Sequence, residues 1–193
     1  MNHTVKYALV GLAIIAAPAQ AFIAEEPPHS VVSEDGNFQI RDYEPMIIAE
    51  VEVNGNMASA GNSGFRPLAN YIFGGNQARN GGNTEIAMTA PVTQTRSQEI
   101  AMTAPVTQSQ SEPGLWRVAF VMPSEWTLDT LPAPEDANVT LREQPARRMA
   151  VIRFNGGARD ARFSTKEAEL RAYMNDQGLE SVGEAIYARY DPP

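Results

Sequence analysis

Sliding the 193-residue chain along itself by 101 residues lays 38–55 over 139–156 without a gap. Arg41 then meets Arg142, Ala49 meets Ala150, and Asn54-Gly55 meets Asn155-Gly156, while Ile40/Leu141, Asp42/Glu143 and Val51/Ile152 are chemically similar pairs. One residue further on, Leu68-Ala69-Asn70-Tyr71-Ile72 lies over Leu170-Arg171-Ala172-Tyr173-Met174. Within 46–53, Ile47, Ala49, Val51 and Val53 share one face and Glu50 and Glu52 the other, the pattern of a strand with one buried and one wet side. Phe65, Leu68, Ala69, Ile72 and Phe73 follow at helical spacing. Pro67 fits a first turn there, and Gly74-Gly75 a stop. Shared order, element type and offset imply an ancestral duplication. They predict an α+β fold, in which duplicated strand-strand-helix halves form a distorted antiparallel β-barrel or sheet with two packed helices. Neither half is large enough to bury a core alone, so 38–193 reads as a single domain.

A second repeat is shorter and sharper. The string EIAMTAPVTQ runs from Glu85 to Gln94 and again from Glu99 to Gln108, an offset of 14 residues. In each copy the residues before the proline alternate, with Ile86, Met88 and Ala90 on one face. Pro91 and Pro105 cannot donate to a ladder, which favours an edge strand or a strand end. The polar Thr95-Arg96-Ser97-Gln98 between the copies reads as the turn of a hairpin.

The remaining elements follow from periodicity and breakers. Strands are predicted at 38–41 and at 116–122, the latter closed by Pro123, and as a pair at 139–144 and 147–155. Residues 128–138 form a proline-rich connector, 164–176 a helix capped by Ser164 or Thr165, and 186–190 a short final strand. Residues 1–21 read as a secretory signal. Lys6 supplies the positive charge, the apolar run 8–18 is too short to span a bilayer, and Ala19-Gln20-Ala21 is a cleavage site. The chain after cleavage then begins at Phe22, is exported to the periplasm or secreted, and makes no stable membrane insertion. Residues 22–37 are polar, contain proline and are expected to be a flexible segment.

Composition removes several classes of chemistry. There is no cysteine, so disulfides, thiolate metal sites and a cysteine nucleophile are excluded. The net charge of −8 disfavours nucleic acid and anionic membranes. The two histidines, His3 and His29, lie in the leader and in the segment after it, which leaves no histidine triad or metal site in the body of the domain. The adjacent acids Glu25-Glu26, Glu34-Asp35 and Glu135-Asp136 lie in the tail or a connector. No glycine-rich phosphate loop opens a helix. The chain reads as a binding protein and not an enzyme. Phe65, Leu68, Ile72, Met88, Met102 and Met122 are candidates for an adaptable apolar site.

The chain resembles the SOUL/heme-binding protein family across almost all of its length after the leader. The resemblance rests on Tyr43-Glu44-Pro45, Phe65-Arg66-Pro67-Leu68 and Tyr71-Ile72-Phe73-Gly74-Gly75-Asn76. It continues through Ile86 to Val92, Val118 to Pro123, Leu128 through Leu131-Pro132, Arg153 to Gly156 and Tyr190-Asp191-Pro192-Pro193. It implies non-catalytic binding of heme or a related tetrapyrrole, weakly or reversibly, in an apolar surface groove beside the first helix. Phe65, Leu68, Ala69 and Ile72 are the matching positions, with Arg66 available to a propionate. Carriage, buffering or sequestration of heme is the implied role. A binding module for another apolar ligand or an envelope protein partner is the alternative, and a small hydrolase using carboxylate or tyrosine chemistry is a third. Some family members carry an axial histidine, which this domain lacks, so hydrophobic docking is expected instead of strong iron ligation. Members usually continue past Asp-Pro-Pro into a final strand, whereas this sequence stops at Pro193. Either the sheet lacks an edge strand or the sequence is truncated.

Overall fold

Side chains alternate across one large curled sheet, whose two faces have different tasks. The computed structural model describes residues 8–17, 26–78, 100, 105–155 and 160–189. In chain order the elements are β1 (Ala8–Ala17), β2 (His29–Asp35), β3 (Phe38–Tyr43), β4 (Met46–Asn54), α1 (Met57–Ile72) and β5 (Asn76–Gln77). Then come β6 (Val106–Glu112), β7 (Leu115–Val121), β8 (Ala133–Pro134), β9 (Thr140–Gln144), β10 (Arg147–Asn155), α2 (Asp160–Asp176), β11 (Leu179–Ser181) and β12 (Ile186–Arg189). The main sheet runs β2-β3-β10-β1-β12-β6-β7-β4-β9, with β11 beside β1, and β5 and β8 form a small separate ribbon. The α+β class, the two helices and the curled sheet are as expected.

Within the repeated units, β3 does not pair with β4, nor β9 with β10. β3 pairs antiparallel with β10, and β4 with β9. The expected pairing of 139–144 with 147–155 is therefore corrected. The linkers Glu44-Pro45 and Pro145-Ala146 carry proline where a two-residue hairpin needs residues such as Asn-Gly. Each strand turns a corner there and finds its partner in the other half. His29–Asp35, expected within a flexible segment, forms β2 and pairs antiparallel with β3.

The apolar segment read as a leader is β1, lying between β10 and β12 and parallel to both. These pairings make the sheet mixed where an antiparallel one was expected. Leu12 and Ile14 are fully buried in the cluster that contains Phe163, Leu170 and Met174 of α2. The residues around Ala21 lie outside the described residues.

Two core clusters lie between the sheet and its helices. Under α2, Leu12, Ile14, Ala150 and Ile152 meet Phe163 and Leu170. Under α1, Ala49, Val51, Val118 and Phe120 meet Leu68, Tyr71 and Ile72. The intervening strand residues point to the opposite face.

Both helices start earlier than expected. α1 begins at Met57, capped by Asn56, whose Oδ1 accepts from the Ser59 amide at 2.9 Å while its own amide donates to Ser59 Oγ at 3.1 Å. Pro67 is thus in the helix interior and not in its first turn. Gly61 and Gly64, both buried, weaken the local helical signal but allow close approach to the sheet: a Cβ on Gly64 would lie 2.6 Å from Val118. In α2, the Ser164 and Thr165 hydroxyls donate to the carbonyls of Asp160 and Ala161 at 3.1 and 3.0 Å. They are interior residues bonding back one turn, not caps.

Most of the tandem repeat, including Met88 and Met102, lies outside the described residues. Of its second copy, Ile100 is buried and its amide donates to the Ile72 carbonyl at 2.7 Å. Pro105 directly precedes β6, whose first residues Val106-Thr107-Gln108 pair with β7 on one side and β12 on the other. The post-proline half of that copy is thus an interior strand, and Pro105 sits at a strand end, the second of the two expected places, not on an edge strand.

Candidate functional site

Helix α1 divides the expected site residues between two sides. Leu68 and Ile72 are 0% and 1% exposed and belong to the core with Tyr71. Tyr71 is fixed there by its hydroxyl, which donates to the Pro132 carbonyl at 2.9 Å. These residues support the helix from beneath and do not form its outer surface. Phe65 and Ala69 are half-buried and Arg66 is exposed, so the structure brings these three together on the outer side.

Phe73, four residues beyond Ala69, extends that outer stripe and is 58% exposed. A phenyl ring held in water at the end of a helix is the largest apolar feature of this side. The sequence contained its signal, since Phe65, Ala69 and Phe73 recur at intervals of four. Phe65 is braced from behind by Phe120, with ring centroids 5.4 Å apart and tilted by 59°. The helix ends rigidly at this point. Phe73 N–H donates to the Ala69 carbonyl at 3.0 Å, Gly74 takes φ 109°, and Gly75 N–H donates to Asn70 O at 2.7 Å. The result is an apolar stripe, half-buried at Phe65 and Ala69 and exposed at Phe73, with one guanidinium beside it.

The sequence profile of a family described as SOUL heme-binding protein matches residues 24–193. The chain belongs to the SOUL family. The match begins beyond β1, so that strand lies outside it. No curated protein matches the chain. Family membership makes heme the relevant ligand class and places this SOUL protein among binding proteins.

The outer face of α1 fits part of what a heme requires. Phe65, Ala69 and Phe73 offer apolar surface to a macrocycle, and Arg66 offers a partner for a carboxylate. None of Asn62, Phe65, Arg66, Ala69, Asn70 and Phe73 is a ligand for iron. His29 is elsewhere: its Nδ1 lies 2.8 Å from the Pro27 carbonyl, and its ring lies 5.1 Å from Tyr43 on the other face of the sheet. Among the described residues no cluster of three His, Asp or Glu would hold a metal ion, and no helix is long and apolar enough to cross a membrane.

Proposed function

We propose that this SOUL protein binds heme or a related tetrapyrrole reversibly on the outer face of α1, without catalysis, for carriage, buffering or sequestration. The observation that carries the reading is the family match over 24–193. The exposed Phe73, in line with Ala69 and Phe65, supports the location. Stacking on Phe65 and Phe73 would hold the macrocycle, and Arg66 would pair with a propionate. A face without an axial ligand suits transfer better than storage, because no metal–ligand bond has to break on release. Export through a leader spanning 1–21 belongs to the same proposal, and a mass beginning at Phe22 for protein recovered from the envelope would support it.

Titration of hemin into the purified protein tests the reading. A saturable Soret shift with quenching of Trp116 and Trp126 is expected at micromolar hemin, with Phe73→Asp and Phe65→Asp each weakening binding by about tenfold or more. No Soret shift and no saturable quenching would end it.

A further inference from the structure

The sheet face opposite the helices carries a partly open pocket of about 230 Å³. Its floor is apolar, built from Ile48, Ala119, Val121, Met149 and Ala188 on four strands, β4, β7, β10 and β12. Glu50, Arg117, Arg142 and Arg147 line its polar part. This volume is below the roughly 300–1,000 Å³ typical of pockets for drug-sized ligands. It suits a short flexible molecule and does not enclose a tetrapyrrole.

The charges lining the cavity do not balance. Arg142 donates from Nε and Nη2 to the two carboxylate oxygens of Glu50, at 2.9 and 3.0 Å. Arg117 donates to Glu52 at 2.8 Å, and its Nε lies 3.6 Å from Glu50, outside hydrogen-bond range. Both carboxylates are thereby engaged. Arg147, at the start of β10, has no carboxylate partner among the described residues, and its buried Nε has no hydrogen-bond partner there. The Arg147 stem and Nε are withdrawn from water, which leaves that N–H unsatisfied among the described residues. Burial foremost, and then the neighbouring Arg142 charge, pull the Arg147 pKa below the ordinary arginine value, with Tyr43 opposing them. A half-buried cation in this setting gains most from an anion.

We propose that this cavity is a second binding site, distinct from the α1 face, for a small amphipathic monoanion. The ligand class is a medium-chain aliphatic carboxylate, whose head pairs with Arg147 and whose tail lies on Ile48, Ala119, Val121 and Met149. One unmatched guanidinium calls for one negative charge, and the apolar floor calls for a tail.

Calorimetric titration of the full chain with octanoate tests the proposal, with octanol and acetate supplying the tail and the head alone. Octanoate is expected to saturate at one equivalent, and octanol and acetate to bind about tenfold or more weakly. Arg147→Met should weaken octanoate by a similar factor while leaving the hemin titration unchanged. Ala119→Leu, which fills the floor and keeps the charge, should also weaken octanoate and tests the site if the first variant fails to fold. Octanol binding as well as octanoate, unchanged octanoate affinity in a folded Arg147→Met, or one-for-one displacement of octanoate by hemin would each overturn the proposal. Because hemin is titrated separately, failure of the heme reading leaves saturable octanoate binding intact, and the converse also holds.

Discussion

At the scale of single residues, Tyr187 and Gly64 show how burial and fit act on stability. The Tyr187 hydroxyl donates to Glu167 Oε2 at 2.6 Å on the α2 side of the sheet. Burial first, then this hydrogen bond and the Glu167 charge, push its pKa far above the ordinary phenol value of 10.0. The fold therefore favours the protonated form. That contribution is complete below pH 10 and is lost as pH rises above it, because only the unfolded chain then releases the proton readily. Tyr187→Phe should flatten the alkaline loss of stability and cost about 1 kcal/mol at neutral pH, as measured by urea unfolding at pH 8 and pH 11. Gly64→Ala should cost about 1–3 kcal/mol through the contact with Val118, visible as a lower melting temperature with unchanged helix content. At this scale the sequence was half legible. Helical spacing identified Phe65, Leu68, Ala69, Ile72 and Phe73 as members of one helix, and the family resemblance added Arg66. It did not separate core from surface, because both sides of α1 carry apolar residues and only the packing on Val118 and Phe120 decides which is covered.

At the scale of elements, alternation and breakers located β4, β7 and β10 to within a residue or two. Pairing was hidden because it depends on the corners Glu44-Pro45 and Pro145-Ala146, whose proline chemistry excludes a tight hairpin without naming the distant partner. The start of α1 was also hidden, since Gly61 and Gly64 serve close packing at the expense of helix propensity. The strand β1 was legible only as an apolar run, a pattern that serves a leader or a buried strand equally well. The structure makes its mechanical role testable. Leu12 and Ile14 are fully buried and are lost if 1–21 is removed, and each buried aliphatic side chain of this kind is worth roughly 2–5 kcal/mol. The chain beginning at Phe22 should therefore unfold at clearly lower denaturant than the full chain. Equal midpoints would show that β1 adds nothing to the fold.

At the scale of the whole molecule, the two halves exchange strands: β3 lies on β10 and β4 on β9. The 101-residue offset matches β3 to β9 and β4 to β10, so each of these cross-pairings corresponds to the other under the repeat. That correspondence supports the duplication reading and predicts mutual dependence. Fragments 22–136 and 137–193, expressed separately, should show no cooperative unfolding, and mixing them should restore it. Cooperative melting of either fragment alone would mean that its half holds a core of its own. The place of β1 in the sheet also has a consequence for the order of events in the cell. A segment hydrogen-bonded between β10 and β12 is inaccessible to a translocation channel and to a processing protease. Folding and export would thus compete for the same ten residues, and whichever happens first commits the chain. If 1–21 is a leader, as proposed, a molecule that folds early would keep it and stay behind, while one that leaves early would have to close its sheet around a missing strand.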